Sequence, residues 1–271
     1  MPPLSQEAAA LRPVISFGLL FLLAGAEALW PRRPRALSRW GRWPGNLGIA
    51  ALGALAVKLA FPVAALGVAA LAARAGWGVL NLVSMPEGLK IVTAVLALDF
   101  AIYIQHRVFH AVPVLWRLHR MHHADLDLDV TSGARFHPLE IMLSMLIKMG
   151  VVLLIGAPPL AVLLFEIILN ATAMFNHSNL ALPSALDGAL RLVLVTPDMH
   201  RVHHSVIRAE TDSNFGFNVP WWDRLFATYR AQPAQGQLGM MIGLPAFRKP
   251  GASRLDALLV QPFLTPDDGA A

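Results

Sequence analysis

The chain has 271 residues, of which 56% are hydrophobic and 14% are charged, with a formal net charge of +5 and a mean hydropathy of +0.54. Soluble domains carry roughly 25% charged residues, so this composition excludes an ordinary soluble protein and indicates a membrane protein. Cysteine is absent, which excludes disulfide bonds, cysteine-ligated iron–sulfur clusters and cysteine-based zinc sites within the chain.

Long apolar runs dominate the first two thirds of the chain, at residues 14–29, 47–73, 89–104, 139–155 and 160–175. Each run is near the roughly 20 residues that a helix needs to cross a bilayer. The second run is overlong and contains Lys58 and Pro62, so it predicts a tilted or kinked helix. A Gly-Ala-Pro-Pro turn at residues 156–159 separates the last two runs and predicts a helical hairpin.

The basic residues predict the orientation of these helices. Five arginines lie between the first two runs, whereas the loop around residues 77–87 has almost no charge. By the positive-inside rule, the arginine loop is expected to be cytoplasmic, and the third run then ends on the same side. The sequence therefore predicts an all-α, multi-pass helical membrane protein with about four to five transmembrane or hairpin helices and a cytoplasmic, histidine-rich helical cap. The arginines of this loop are Arg32, Arg33, Arg35, Arg39 and Arg42.

The character of the chain changes after residue 179. Residues 182–194 predict a short interfacial helix, and the more polar sequence from residue 196 onward predicts a cap. We expect N-terminal transmembrane helices over 1–88, a catalytic region over 89–230 and a C-terminal tail over 231–271.

All ten histidines lie between residues 106 and 204. Imidazole is the commonest protein ligand for transition metals, so this confinement predicts a metal site. Histidines four apart share one helix face, whereas adjacent histidines diverge by about 100° and serve two ions more easily than one. The spacing therefore predicts a dinuclear centre. Eight histidines form three clusters: His106 and His110; His119, His122 and His123; and His200, His203 and His204.

Other residues near these clusters have less specific patterns. His137 and His177 are expected to join the ligands, with a structural hydrogen bond as the alternative for each. Asp198 and Asp223 are candidates to orient the imidazole rings, and three asparagines are candidates to bind a metal-bound water. The alternating acids Asp125, Asp127 and Asp129 are expected to be solvated or to cap a helix, with carboxylate ligation of a metal as the alternative. The asparagines are Asn176, Asn179 and Asn214.

The order of the motifs HRVFH, LHRMHH, RFHP, NHSN and DMHRVHH resembles the fatty acid hydroxylase superfamily, which includes sterol desaturases and alkylglycerol monooxygenase. The resemblance covers roughly residues 89–229, including NFGFNVPWWDRLFATY after the last triplet. It implies a helical membrane stem, a cytoplasmic cap and two iron ions bound by histidines, with the eight clustered histidines, His137 and His177 as ligands. Zinc can replace the iron in isolated protein, because an all-histidine site also accepts zinc.

The resemblance implies hydroxylation or desaturation of a lipid or sterol-like substrate with O2 and external electrons. The chain has no cysteine and no dinucleotide fingerprint, so a separate electron donor of the ferredoxin or cytochrome b5 type is expected. No nucleic-acid partner is expected. A zinc-dependent membrane hydrolase is the first alternative, although no histidine pair has the H-E-x-x-H form. A metal transporter or sensor is the second, although its histidines would line a path through the bilayer.

Overall fold

The computed structural model describes residues 3–265, and this part of the chain is helical, with two isolated β-bridges and no longer strand. The prediction of an all-α, multi-pass membrane protein is confirmed. Single 3-10 turns occupy Ser132–Ala134, Pro250–Ser253 and Gln261–Phe263. The α-helices are α1 (Pro3–Leu29), α2 (Arg39–Ala60), α3 (Ala64–Ala75), α4 (Val79–Leu82), α5 (Glu87–Ala111), α6 (Pro113–His123), α7 (Pro138–Ile155), α8 (Pro159–Asn176), α9 (Ser184–Leu190), α10 (Pro197–His203), α11 (Arg208–Thr211), α12 (Trp221–Leu225), α13 (Gly236–Gly239) and α14 (Leu255–Val260).

Four segments are long and apolar enough to cross a membrane: Leu11–Leu29, Arg39–Leu82, Pro138–Ile155 and Pro159–Asn176. The fifth long helix, α5, packs against both α7 and α8. Its second half carries the polar residues Asp99, His106 and Arg107, and it is not one of the four candidate spans. The bundle therefore consists of four candidate spans and one further long helix, within the predicted range of four to five helices.

The overlong second run is divided into two helices. Helix α2 ends at Ala60 and α3 begins at Ala64, on either side of Pro62. A proline disfavours helical backbone in the residue before it, and Phe61 has φ −129° and ψ 74°. Both helices pack against α7, so the proline produces the predicted kink within one continuous path along the bundle.

The predicted hairpin is formed by α7 and α8. Gly156 ends α7 in the left-handed conformation, with φ 69°, and Pro158 and Pro159 start α8. Gly78 lies against this turn so closely that a Cβ atom on it would be 2.1 Å from the backbone nitrogen of Gly156. The apolar core between α3, α5, α7 and α8 lies directly beside this turn. It includes Ala65, Ala69, Leu98, Val152 and Phe165.

The arginine loop between α1 and α2 lies at the histidine end of the bundle. The backbone nitrogen of Arg32 donates to the carbonyl oxygen of Asn179 at 2.8 Å, and the Arg32 side chain pairs with Asp198 at 3.0 Å. Asn179 follows His177 by two residues, and Asp198 precedes His200 by two residues. The structure therefore places this basic loop and the histidines on one face, as the topology predicted.

The C-terminal tail packs back onto the helices. A Cβ atom on Gly45 of α2 would lie 2.0 Å from the carbonyl oxygen of Ser253, so only glycine permits this approach of the tail. Arg117 and Arg120 on α6 donate to the backbone carbonyls of Pro262 and Gln261 at 2.8 and 2.9 Å. The tail up to residue 265 is thus fixed to α2 and α6, and the last six residues of the predicted tail segment lie outside the described residues.

The alternating acids after α6 form a buried ion-pair cluster, so the expectation that they are solvated or cap a helix was wrong. Arg42 is fully buried and donates to Asp125 at 2.7 and 2.8 Å and to Asp129 at 2.6 Å. Asp127 accepts hydrogen bonds from the backbone nitrogens of residues 36 and 37. Burial opposes ionisation of Asp125, yet Arg42 and Arg135 hold its pKa well below the usual range. The acids therefore fix the loop after α6 to α2.

Replacing Arg42 by leucine should lower the free energy of unfolding by about 3–5 kcal/mol, because it leaves the buried Asp129 without an ion-pair partner and Asp125 with Arg135 alone, at 3.8 Å. The measurement is the thermal unfolding midpoint of the purified protein in detergent, followed by tryptophan fluorescence. Arg35→Leu, at an exposed position in the same loop, is the matched control. Equal midpoints for the two variants would contradict a stabilising role for the buried cluster.

Candidate metal centre

Nine of the ten histidines meet in two adjacent groups at one end of the bundle. Within each group, the nearest ligand atoms all lie within 4.8 Å of one another, and every ring is at most 4% exposed. Helices α5, α6 and α10 and the end of α8 supply them. The five-histidine group contains His106, His110, His119, His123 and His203, and the four-histidine group contains His122, His177, His200 and His204.

The adjacent histidines of each triplet belong to different groups. His123 lies in the five-histidine group and His122 in the four-histidine group, and the same division separates His203 from His204. This arrangement follows from the rotation of about 100° per residue around a helix axis. Helices α6 and α10 therefore each contribute to both groups, which keeps the two groups side by side.

Backbone carbonyls orient four of the nine rings through the outer nitrogen, Nδ1. A carbonyl oxygen only accepts, so Nδ1 must carry the proton and Nε2 must present its lone pair. The lone pairs of these rings consequently point toward the interior of each group. The bonds run from His106 to Phe215 (2.8 Å), from His122 to Arg135 (3.1 Å), from His177 to Ala173 (2.7 Å) and from His203 to Ser213 (2.7 Å).

Two carboxylates hold further rings, and sequence reasoning missed both. The Nδ1 atom of His119 donates to Glu140 at 2.7 Å, and that of His110 donates to Asp212 at 3.2 Å. A carboxylate behind a ligating imidazole fixes the tautomer and raises the basicity of the ligand. The one available indication in the sequence was the position of Glu140, three residues after the RFHP histidine in the first turn of α7.

The inner nitrogens crowd together in a way that suits a cation. Nε2 of His106 lies 3.0 Å from Nε2 of His203 and 3.1 Å from that of His119, and Nε2 of His177 lies 3.1 Å from those of His122 and His200. Two ligands at about 2.1 Å from an ion, at right angles, would be about 3.0 Å apart. The donor set is therefore one that fits a bound transition-metal ion in each group.

Burial keeps these rings neutral. It lowers the pKa of His119 to about 3 and that of His177 to about 4. Burial, reinforced by the neighbouring imidazoles, also lowers the pKa values of His200, His203 and His204 well below the usual range. Neutral imidazole is the form that binds metal, so protons do not compete for these nitrogens near neutral pH.

The structure does not bring His137 together with the other nine. Its Nδ1 accepts a hydrogen bond from the backbone nitrogen of Leu139, which caps α7, and its Nε2 donates to the carbonyl oxygen of Leu259 at 3.2 Å. Both ring nitrogens are thus engaged by the backbone. This placement corresponds to the structural alternative for His137, whereas His177 lies inside the four-histidine group.

The two aspartates predicted to orient the rings and the three asparagines predicted to bind a metal-bound water have other partners, except for one asparagine oxygen. Asp198 pairs with Arg32 and Arg201, and Asp223 accepts from the backbone nitrogens of Phe215 and Gly216. Asn179 bonds the backbone of Arg33, and Asn214 bonds the backbone carbonyls of Met199 and Arg230. Asn176 donates to Phe217, but its buried Oδ1 has no partner among the described residues, so it stays available to a bound water.

Replacing His203 by alanine should remove at least one metal ion per chain, because the variant loses a ligand of the five-histidine group. His137→Ala should keep the full metal content and lose only the cap of α7, worth about 1 kcal/mol. Elemental analysis of the purified variants is the measurement. An equal loss of metal from both variants would show that His137 is a ligand after all.

Replacing Glu140 by alanine should weaken metal affinity about 10- to 100-fold while keeping every histidine, because the His119 ring loses its hydrogen-bond acceptor. Competition with a chelator measures the affinity. Glu87→Ala, at an exposed position in the first turn of α5, is the control and should leave the affinity unchanged. Unchanged affinity in Glu140→Ala would mean that the packing of α6 alone orients His119.

Several known proteins are similar to this chain. Ornithine lipid hydroxylase OlsE of Rhizobium tropici is 30% identical over 148 residues, which are 55% of this chain and 44% of that protein. Human alkylglycerol monooxygenase is 31% identical over 145 residues, which are 52% of this chain and 30% of that protein. The chain therefore aligns with less than half of the length of these curated relatives. No solved structure shows a significant match.

The sequence model of the family described as "Fatty acid hydroxylase" matches residues 91–228, just over half of the chain. This region contains all ten histidines, Glu140 and Asp212. Both histidine groups thus lie inside the matched region, and the chain belongs to the fatty acid hydroxylase family.

Proposed function

We propose that this protein is an integral membrane oxygenase that hydroxylates a lipid at a di-iron centre held by the nine grouped histidines. The observation that carries the proposal is the pair of adjacent, buried, all-histidine groups inside the region matched to the family. The names of the similar proteins, a lipid hydroxylase and a monooxygenase, support a lipid substrate and O2 as the oxidant.

The chemistry requires a redox metal. Insertion of oxygen into an unactivated C–H bond is beyond any side chain, and a bound pair of iron ions would supply O2 activation and hydrogen abstraction. The overall reaction converts R–H, O2, two electrons and two protons into R–OH and water. We propose hydroxylation rather than desaturation, because both similar proteins carry names of oxygen-inserting enzymes.

The residues of the chain would hold, orient and shield this centre. The histidines offer neutral nitrogen ligands, and the carbonyls and carboxylates behind them fix the ring orientations. Phe215 and Phe217 pack against His106 at 5.5 and 5.3 Å between ring centroids, and Phe136 stacks on His122 at 4.3 Å. These aromatic walls exclude water, which protects reactive species from side reactions.

We assign the electron supply to a separate donor protein of the ferredoxin or cytochrome b5 type. The reaction consumes two electrons per turnover, and the chain has no cysteine for an iron–sulfur cluster. We further assign the histidine face to the cytoplasmic side, because the arginine loop packs beside it. Catalysis is assigned to residues 89–230, with 1–88 as membrane helices and 231–271 as a tail; the family match at 91–228 supports this division.

A zinc-dependent hydrolase is less well supported by the geometry. Such an enzyme needs a carboxylate near the metal-bound water as general base. Glu140 makes the shortest hydrogen bond of any carboxylate to a histidine ligand. It binds the outer nitrogen of His119, however, and so lies behind the ring, away from the metal position. A transporter would distribute ligands along the bundle, whereas the nine rings meet at one end.

Metal content and product formation test the proposal together. Protein produced with iron-57 and purified in detergent should contain about two irons per chain with the Mössbauer spectrum of a coupled pair. With a chemical reductant, a ferredoxin or cytochrome b5 donor system and O2, lipid extracts should contain a product heavier by one oxygen atom, and omission of the reductant should abolish it. His203→Ala is the matched control. Zinc alone, with no iron bound after anaerobic reconstitution, would overturn the oxygenase in favour of the hydrolase.

A further inference from the structure

A cavity of ≈ 460 Å³ borders the five-histidine group. Helix α5 lines one side with Ile104, Arg107, Val108 and His110, and the segment around α11 lines the other with Arg208 and Asp212. This volume is within the usual range of small-molecule sites. Because His110 belongs to the five-histidine group, any occupant of the cavity lies directly beside that group.

The cavity carries a net positive charge. Arg208 and Asp212 form an ion pair at 2.5 Å, and Asp212 also accepts from His110, so these charges offset each other. Arg107 is half-buried, and its guanidinium lies 5.7 Å from the centroid of the Tyr103 ring and hydrogen-bonds the Tyr103 side chain. Among the side chains of residues 11–265, no carboxylate lies within ion-pair distance of it. Among the side chains that the structure describes, this cation of the cavity wall therefore has no direct ion pair, and it acts on the buried Asp223 only through space.

The same helix gives the cavity an apolar approach. Ile104 and Val108, one turn apart, are 37% and 41% exposed, and Leu89 and Val92 nearer the start of α5 are 54% and 55% exposed. The exposed residues of α5 beside the cavity are thus apolar, whereas the start of the helix exposes the charged Glu87 together with Leu89 and Val92. An amphiphile with an alkyl chain and an anionic head matches this distribution of apolar surface and charge.

We propose that this cavity binds the anionic headgroup, a phosphate or a carboxylate, of a lipid whose chain lies along α5. Arg107 supplies the charge-assisted hydrogen bonds, and Arg208 stands at the opposite wall. The inference rests on the proposed function in one respect: it takes the bound lipid as the substrate. The binding step itself does not depend on turnover.

The test uses the metal-loaded full chain in phosphatidylcholine vesicles that contain a small fraction of a photoreactive lipid. One arm carries phosphatidic acid with a diazirine near the headgroup, and the matched arm carries diacylglycerol with the same diazirine. Mass spectrometry of the digested protein quantifies labelling of the α5 residues 104–111. We expect about tenfold more labelling by phosphatidic acid, the factor that one charged hydrogen bond provides.

Arg107→Gln should reduce this labelling about tenfold, whereas Arg107→Lys should keep part of it because the charge remains. Arg208→Gln is a second variant, and it should reduce the labelling less than Arg107→Gln does. Arg254→Gln, at an exposed position outside the cavity, is the control and should label like the parent protein.

Equal labelling by the two lipids in the parent protein would overturn the headgroup proposal, and this comparison requires no variant. Displacement of the label by inorganic phosphate would also overturn it, because a soluble anion would then be the ligand. Charge-selective labelling of a protein that forms no oxygenated product in the assay with reductant, donor and O2 would leave the headgroup site intact and refute the oxygenase. An active, iron-loaded enzyme without charge selectivity would refute the headgroup site alone.

Discussion

The crowding of neutral imidazoles is the constraint on which the rest of the structure depends. Inner nitrogens of neighbouring rings lie about 3 Å apart with their protons on the opposite side, so their lone pairs face one another. Protonation would relieve this repulsion, but burial keeps the rings neutral. A bound cation in each group is the remaining solution: one would join α5, α6 and α10, and the other would join α6, α10 and the end of α8.

Many polar contacts of the protein hold these rings in place. The carbonyls of Phe215, Ser213 and Arg135 all belong to loops, and each binds a histidine from another element. The loop after α6 is in turn fixed to α2 by Arg42. The membrane helices and the histidine groups are therefore mechanically connected. A change in α2 reaches the rings through the contact of Arg42 with the loop after α6 and the contact of the Arg135 carbonyl with His122.

Periodicity and spacing predicted the features that depend on local sequence. The histidine triplets, the proline break at residue 62 and the Gly-Pro turn at 156–159 follow from rules that act within a few residues. Contacts between distant segments were not predictable in this way. Arg42 and Asp125 are 83 residues apart, so nothing in the sequence indicated that this acid is buried in an ion pair. Asp212 and His110 are 102 residues apart, so Asp212 was not predicted as a hydrogen-bond acceptor for the His110 ring.

The two histidine groups differ in their access to the cavity. The five-histidine group borders the cavity through His110, whereas none of the residues lining that cavity belongs to the four-histidine group. Arg201, fully buried beside the four-histidine group, pairs with Asp198 and closes that side. An ion bound in the five-histidine group would therefore lie beside any molecule bound in the cavity, and an ion in the four-histidine group would lie away from it.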